Sequence, residues 1–223
     1  NYTQRYLYRS KLDGSGIAER ISPMDLSGQH SYQISADSKY AIHSFESTST
    51  PKRTALIELA THKELKLLED NAILKQRINE LGIKPREFLK IDIGDIKLDA
   101  WMIKPVDFDA SKKYPLIMHV YGEPAGSTVQ DNWGVGDMLW HQYLASKGYI
   151  IMSVDNRGTR TPRGRDFRKS IYRQIGLLAS DDQAKAVKHI TQKFPFIDPA
   201  RVGSWGWSGG GQMTLMAMFR YPE

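Results

Sequence analysis

The sequence predicts an α/β fold for the larger, C-terminal part of the chain, and three observations support this prediction. Leu116–Tyr121 and Tyr149–Val154 are continuous apolar runs, typical of strands that are covered on both faces of a sheet. Residues 138–146 between them have a helical pattern, and strands that alternate with helices form mainly parallel sheets. Val202–Gly211 has the pattern of a strand, a glycine-rich turn and the start of a helix.

Residues 1–65 are predicted to contain only strands. Short predicted strands that follow one another closely, with polar turns between them, are typical of a β-propeller blade or a sandwich. One of these turns is a hairpin signal at Asp13–Gly16. A blade takes about 40–50 residues and cannot bury both faces alone. We therefore expect the C-terminal part of a β-propeller here, with further chain upstream. The predicted strands are Tyr6–Leu12, Ser31–Gln33, Tyr40–Phe45 and Thr54–Leu59.

Residues 66–86 are predicted to form a connector helix, because leucines and isoleucines recur at roughly helical spacing. Residues 87–223 then begin with a hairpin, in which Phe88–Ile93 and Ile96–Ile103 alternate around a Gly-Asp turn. A further helix, capped at its start, is expected over Ser180–Lys193. This order of strands and helices is that of the N-terminal half of an α/β-hydrolase domain.

The glycine-rich turn carries the chemistry. Gly206-x-Ser208-x-Gly210 matches the nucleophile elbow, in which a serine hydroxyl projects from a sharp strand-to-helix turn. Glycines on either side leave room for that turn, and Gly209 N–H at the helix start is placed to donate to an oxyanion. The helix over residues 212–220 is apolar nearly all round, which predicts that it is buried. The five-residue pattern alone also fits a purely structural turn.

A serine nucleophile needs a histidine base and an orienting carboxylate, which follow the serine in α/β-hydrolases. The fifteen residues after Ser208 contain neither histidine nor aspartate, and all six histidines precede it. His119, His141 and His189 are therefore interpreted as structural or surface residues. We expect that the triad aspartate and histidine are absent from this chain, that the chain is truncated, and that alone it has little or no turnover.

Composition excludes several other classes. There is no cysteine, hence no disulfide, thiolate nucleophile or cysteine-based metal site. The sequence contains no run of about 18 apolar residues, so no membrane-spanning helix is predicted. The net charge of +6 is modest, and its densest stretch is Arg157–Arg173. We interpret that stretch as a solvated loop and helix face with some arginines paired to carboxylates, and expect no nucleic-acid partner, although a basic patch of this kind is also found in nucleic-acid-binding proteins.

Several motifs together resemble the prolyl oligopeptidase family of serine peptidases, and most of all its dipeptidyl peptidase IV branch. The resemblance covers essentially the whole chain. The motifs are Leu68–Asn71, Lys112–Leu116, Tyr121–Pro124, Asp155–Gly158 and Gly206–Gly211.

The resemblance implies an incomplete α/β-hydrolase domain preceded by one or more β-propeller blades. It implies that Ser208 is the nucleophile and that the Tyr121 phenol joins Gly209 N–H in the oxyanion hole. Independently, Tyr121 ends a core strand at its carboxyl end, where α/β sheets build their sites. A buried structural tyrosine is the alternative. No metal or organic cofactor is implied.

Two positions depart from the family pattern. Relatives often carry tyrosine directly after the serine, where it helps to form the proline pocket, but this chain has Gly209. Glu123 stands beside the oxyanion tyrosine, in the place of a glycine, and its carboxylate either binds a substrate amine or faces water. The glutamates that grip the substrate's free N-terminus in this branch are expected outside the sequence.

The function implied is a serine exopeptidase that releases N-terminal dipeptides from short peptides, with proline favoured at the second position. The alternatives are a tripeptidyl, acylaminoacyl or oligopeptidase of the same family, an esterase with the same elbow, and a catalytically silent interaction protein. Relatives are often homodimers and, in bacteria, often exported, so the resemblance also implies a possible homodimer in the periplasm or cell envelope.

Overall fold

The computed structural model describes residues 1–134 and 137–222 and divides the chain into two compact units. The first unit comprises Thr3–Ile83 and a short segment that begins at Gln130. The second comprises Lys84–Val129 and the chain from Asp137 on. The division after residue 83 falls inside the stretch predicted to be the connector.

The first unit is built from antiparallel strands. β1 (Tyr8–Arg9) pairs with β2 (Glu19–Arg20), so the strand predicted over Tyr6–Leu12 is only two residues long. A four-stranded sheet then follows chain order, and its first three strands overlap the remaining three predictions. Its strands are β3 (Gln29–Ile34), β4 (Tyr40–Ser47), β5 (Thr50–Glu58) and β6 (Glu64–Glu69).

The predicted connector helix is wrong over its first part. Glu64–Glu69 forms β6, which pairs antiparallel with β5, and the helix α1 (Ala72–Glu80) begins only after Asn71. Asn71 has a φ of 52°, a left-handed conformation that a helix interior does not contain. The leucines of β6 fit an exposed edge strand as well as a helix, and pairing with β5, which sequence spacing does not reveal, decides between them.

The core of the first unit is small. Ala41, Ala55 and Ile57 form its buried apolar cluster. Beside them the buried His30 and His43 stack, with His30 Nδ1 2.9 Å from His43 Nε2. Burial lowers the pKa of both imidazoles, that of His43 to about 3, so the pair is neutral at pH 7.

The second unit contains a five-stranded sheet in the order β11-β9-β10-β8-β7. β9, β10 and β11 are parallel, whereas the opening hairpin β7–β8 and the pairing of β8 with β10 are antiparallel. The strands are β7 (Glu87–Asp92), β8 (Lys97–Ile103), β9 (Tyr114–His119), β10 (Ile150–Val154) and β11 (Ile197–Trp205).

Helices flank this sheet, which buries the central strands as predicted. α2 (Asp137–Ser146) packs with Ala145 near Trp101 and Ile151, whereas α4 (Leu177–Lys193) packs with Ala186 and Ile190 in the larger core cluster. The described helices also include the short α3 (Arg165–Lys169) and α5 (Gly209–Arg220). No described helix is long and apolar enough to cross a bilayer.

Ser180 is not the cap of α4, which begins three residues earlier, at Leu177. The Ser180 hydroxyl instead donates to the carbonyl of Gly176 (2.6 Å) inside the first turn of the helix. The sequence Ser-Asp-Asp resembles a cap, but its serine and second aspartate are buried and bonded to other parts of the chain.

The prediction that α5 is buried all round is also wrong for the described chain. Met213 is buried, but Leu215, Met218 and Phe219 are 53%, 62% and 79% exposed. α5 follows β11, which is the end strand of the described sheet. One face of the helix therefore packs on the sheet and α4, while no described element covers its other apolar residues.

Candidate active site

Ser208 lies on the turn between β11 and α5 in an unusual backbone conformation. Its φ is 55° and its ψ −117°, a region that costs a non-glycine residue about 1–3 kcal/mol. The turn is closed by Gly210 N–H, which donates to Trp207 O (2.9 Å), and by Gly211 N–H, which donates to Ser208 O (3.0 Å). Ser208 is exposed. This is the backbone geometry that a nucleophile elbow requires.

Gly206 and Gly210 let two backbone segments touch. A Cβ on either residue would lie within contact distance of the Val120 carbonyl oxygen, and a Cβ on Gly206 would also lie 2.7 Å from the Gly210 Cα. These neighbours are backbone atoms, which no side-chain rotation can move away. The two glycines therefore hold the turn against the end of β9, as the sequence pattern predicts.

Gly209 is the first residue of α5, so its N–H is among those that a helix leaves without an internal partner. The partial positive charge of the helix N-terminus adds to its ability to bind an anion. The Glu123 side chain packs over this glycine: a Cβ at position 209 would lie 2.5 Å from Glu123 Oε1 and 2.7 Å from its Cγ. The Glu123 side chain thus occupies the space that a side chain at position 209 would need, and glycine leaves that space free.

Tyr121 is brought to the same edge of the sheet. It follows Val120, whose N–H donates to Trp205 O (3.0 Å) and so continues the pairing of β9 with β11. A Cβ on Gly210 would lie 3.4 Å from the Tyr121 Cα, so the backbone of Tyr121 borders the first turn of α5. The structure therefore places Tyr121 next to the Ser208 turn, and the role of its phenol stays a prediction.

A buried amide network fixes the loop that carries Tyr121 and Glu123. Asn156 Nδ2 donates to the carbonyls of Gly122 (3.1 Å) and Arg157 (2.8 Å). Gln183 Nε2 in turn donates to Asn156 Oδ1 (3.1 Å) and to Val154 O (2.8 Å). Sequence reasoning assigned no role to Asn156 or Gln183. The motif around Asn156 was a signal, but only the fold reveals its partners.

Arg157 anchors the loop after β10 to a buried carboxylate. Its Nη2 lies 2.6 Å from Asp182 Oδ1 and its Nη1 lies 2.8 Å from Asp95 Oδ2. The hydrogen bonds and charge of Asp182, followed by those of Asp95, raise the pKa of the guanidinium. This arginine thus pairs with carboxylates, as predicted for the basic stretch.

His119 and His141 pack in an aromatic cluster at the end of β11. Their ring centroids are 4.8 Å apart and lie 4.8 and 5.5 Å from that of Trp205. Burial lowers the pKa of both imidazoles, that of His141 to about 3. Such burial fits the structural role that sequence order predicts for them. Among the described residues, no group of three or more His, Cys, Asp or Glu residues is arranged to hold a metal ion.

The chain matches a known family in sequence and structure. The model of the prolyl oligopeptidase family matches residues 137–223. The crystal structure of Porphyromonas gingivalis dipeptidyl peptidase 4 is similar over 98% of the chain, with 37% identity and a TM-score of 0.89.

Two curated relatives extend the comparison. The protein named "Probable dipeptidyl-aminopeptidase B" of Emericella nidulans is 33% identical over 97% of the chain, and human prolyl endopeptidase FAP is 38% identical over 71%. The chain spans 23% and 20% of these two relatives and 30% of the Porphyromonas chain. The chain belongs to the prolyl oligopeptidase family, in its dipeptidyl peptidase IV branch.

Proposed function

We propose that this chain supplies the nucleophile and oxyanion hole of a serine peptidase that releases N-terminal dipeptides, with proline favoured at the second position. The observation that carries the proposal is the Ser208 turn, with a strained φ and the Gly209 amide beside it at the helix start. Membership of the family supports a catalytic role for this turn over a purely structural one. In this proposal the second unit is the first half of an α/β-hydrolase domain and the first unit is propeller sheet.

The proposed reaction begins when Ser208 Oγ attacks the carbonyl carbon before the scissile bond. Its proton passes to a histidine base outside this chain and then to the leaving amine. The negative charge that forms on the carbonyl oxygen is stabilised by Gly209 N–H and the Tyr121 phenol, each worth about 10²–10³ in rate. Water then releases the dipeptide from the acyl-enzyme.

The test is hydrolysis by the whole protein of Gly-Pro-nitroanilide, an N-blocked Ala-nitroanilide and an acetate ester. We expect rapid release from Gly-Pro-nitroanilide alone, lost in Ser208→Ala. Ser204→Ala is the matched control, because Ser204 lies on β11 and is exposed. Among the described residues, the hydrogen-bond partner of its hydroxyl is Thr214 Oγ1 (3.3 Å).

Preference for the blocked or ester substrate would overturn the dipeptidyl specificity and leave only a hydrolase. Turnover that survives in Ser208→Ala would overturn the assignment of the nucleophile. If none of the substrates is hydrolysed, the proposed activity is wrong for this protein.

A further inference from the structure

The Glu123 carboxylate lies beside the proposed reaction centre. Because its Oε1 is 2.5 Å from where a Cβ of Gly209 would be, it is at most about 4 Å from the Gly209 Cα. The Cα atoms of Ser208 and Gly209 are neighbours in the chain, about 3.8 Å apart. Any group bound covalently to Ser208 and held by Gly209 N–H is therefore close to this carboxylate.

The charge of Glu123 has no counter-charge in the described chain. The side chain is half-buried, and among the described residues it makes no hydrogen bond or ion pair. Among the buried carboxylates of the second unit, Asp182 binds Arg157 and Asp99 binds Lys90 and Arg163. The buried Asp155 has no cation but accepts hydrogen bonds from Thr128 and from Val129 N–H. Glu123 thus differs from the carboxylates that have a structural role.

The position of this charge has a direct consequence for catalysis. The Glu123 carboxylate lies against the first residue of α5, whose N–H is proposed to bind the oxyanion. An oxyanion held by Gly209 N–H would form close to this carboxylate, and the repulsion between two negative charges would slow its formation. A glutamine would fill the same space without this repulsion. A positive charge that arrives with the substrate would remove this repulsion.

We propose that Glu123 is a specificity-determining residue that receives a positively charged group of the substrate next to the scissile bond. The group is an ammonium or guanidinium, from a lysine or arginine side chain or from the substrate's free α-amine. This inference rests on the proposed function of Ser208. It adds a charge preference at a position where the sequence alone left the role of Glu123 open.

The test compares matched peptide substrates of the whole protein. Lysine is exchanged for norleucine, which has nearly the same shape without charge, at each of the two positions on either side of the scissile bond. A separate pair compares a free with an acetylated N-terminus. The two sets distinguish a side-chain ammonium from the α-amine.

We expect one charged substrate to exceed its neutral partner at least tenfold in kcat/KM, with the ratio falling as salt is added. The ratio should collapse towards one in Glu123→Gln and reverse in Glu123→Lys. Glu80→Gln, a carboxylate change on α1 in the other unit, should keep the native ratio. Ratios that are the same in the native protein and Glu123→Gln would overturn the inference.

The outcome separates this inference from the proposed function. Cleavage of Gly-Pro substrates with no effect of Glu123→Gln on any charge ratio overturns the role of Glu123 alone. Hydrolysis of esters without peptides overturns the peptidase function, and lysine and norleucine esters then test Glu123 in the same way.

Discussion

Substitution of Gly206 by alanine is the sharpest test of the elbow's backbone packing. The new Cβ would lie 2.7 Å from the Gly210 Cα and C atoms and within contact distance of the Val120 carbonyl oxygen. Relief requires the end of β9 to move away from α5, which breaks the hydrogen bond from Val120 N–H to Trp205 O (3.0 Å). Overpacking of this kind costs about 1–3 kcal/mol and the lost bond about 1 kcal/mol. We therefore expect Gly206→Ala to lower the free energy of unfolding by about 3 kcal/mol.

Urea titration of the whole protein measures this loss, with Gly203→Ala as the matched control. Gly203 lies in the same strand, and a Cβ there would meet no described atom within 4 Å. Its replacement should change stability by about 0.5 kcal/mol or less. Gly209→Ala should fall between them, because the Glu123 side chain that it meets is flexible and can move. A loss below 1 kcal/mol in Gly206→Ala, or one equal to that of Gly203→Ala, would refute this reasoning.

Three further predictions concern the oxyanion hole, the buried ion pair and pH. Tyr121→Phe should lower kcat about 10²-fold with little change in KM, as steady-state kinetics on Gly-Pro-nitroanilide would reveal; an unchanged kcat would exclude the phenol from the oxyanion hole. Arg157→Met leaves the carboxylate of Asp182, which is 0% exposed, without its cation. It should cost about 3–5 kcal/mol in urea titrations, and a loss near zero would contradict the buried pair. Burial lowers the pKa of His141 to about 3 from 6.5, so only the unfolded chain takes up a proton between these values and stability is lost as pH falls below 6.5. His141→Phe should therefore reduce the stability lost between pH 7 and pH 5 by about 2 kcal/mol, and equal losses in both proteins would contradict this.

The local sequence pattern was sufficient to predict an element where only one type of secondary structure fits it. The apolar runs of β9 and β10 are too continuous for exposed strands, and α2 has the length and spacing of a helix. The elbow was predictable because a serine at positive φ needs glycine neighbours, and Gly206 and Gly210 supply them. These features depend on residues close together in the chain.

Local pattern was insufficient where distant residues decide the structure. Leu65 and Leu67 fit a helix or a strand, and pairing with β5 makes β6 a strand. The roles of Asn156 and Gln183 were missed because the two residues are 27 positions apart in the chain and only the fold brings them within hydrogen-bond distance. The sequence showed that Gly209 replaces the tyrosine of the family pattern. It did not show that the Glu123 side chain packs over this glycine, because that contact depends on how the loop after β9 folds over α5.

The backbone conformation at position 208 also limits which side chains can replace serine there. A positive φ crowds a β-branched side chain against its own backbone, whereas serine and cysteine have a single atom beyond Cβ. Threonine carries the same hydroxyl group but has a methyl group that this conformation disfavours. Cysteine is therefore structurally closer to the native serine at this position than threonine is.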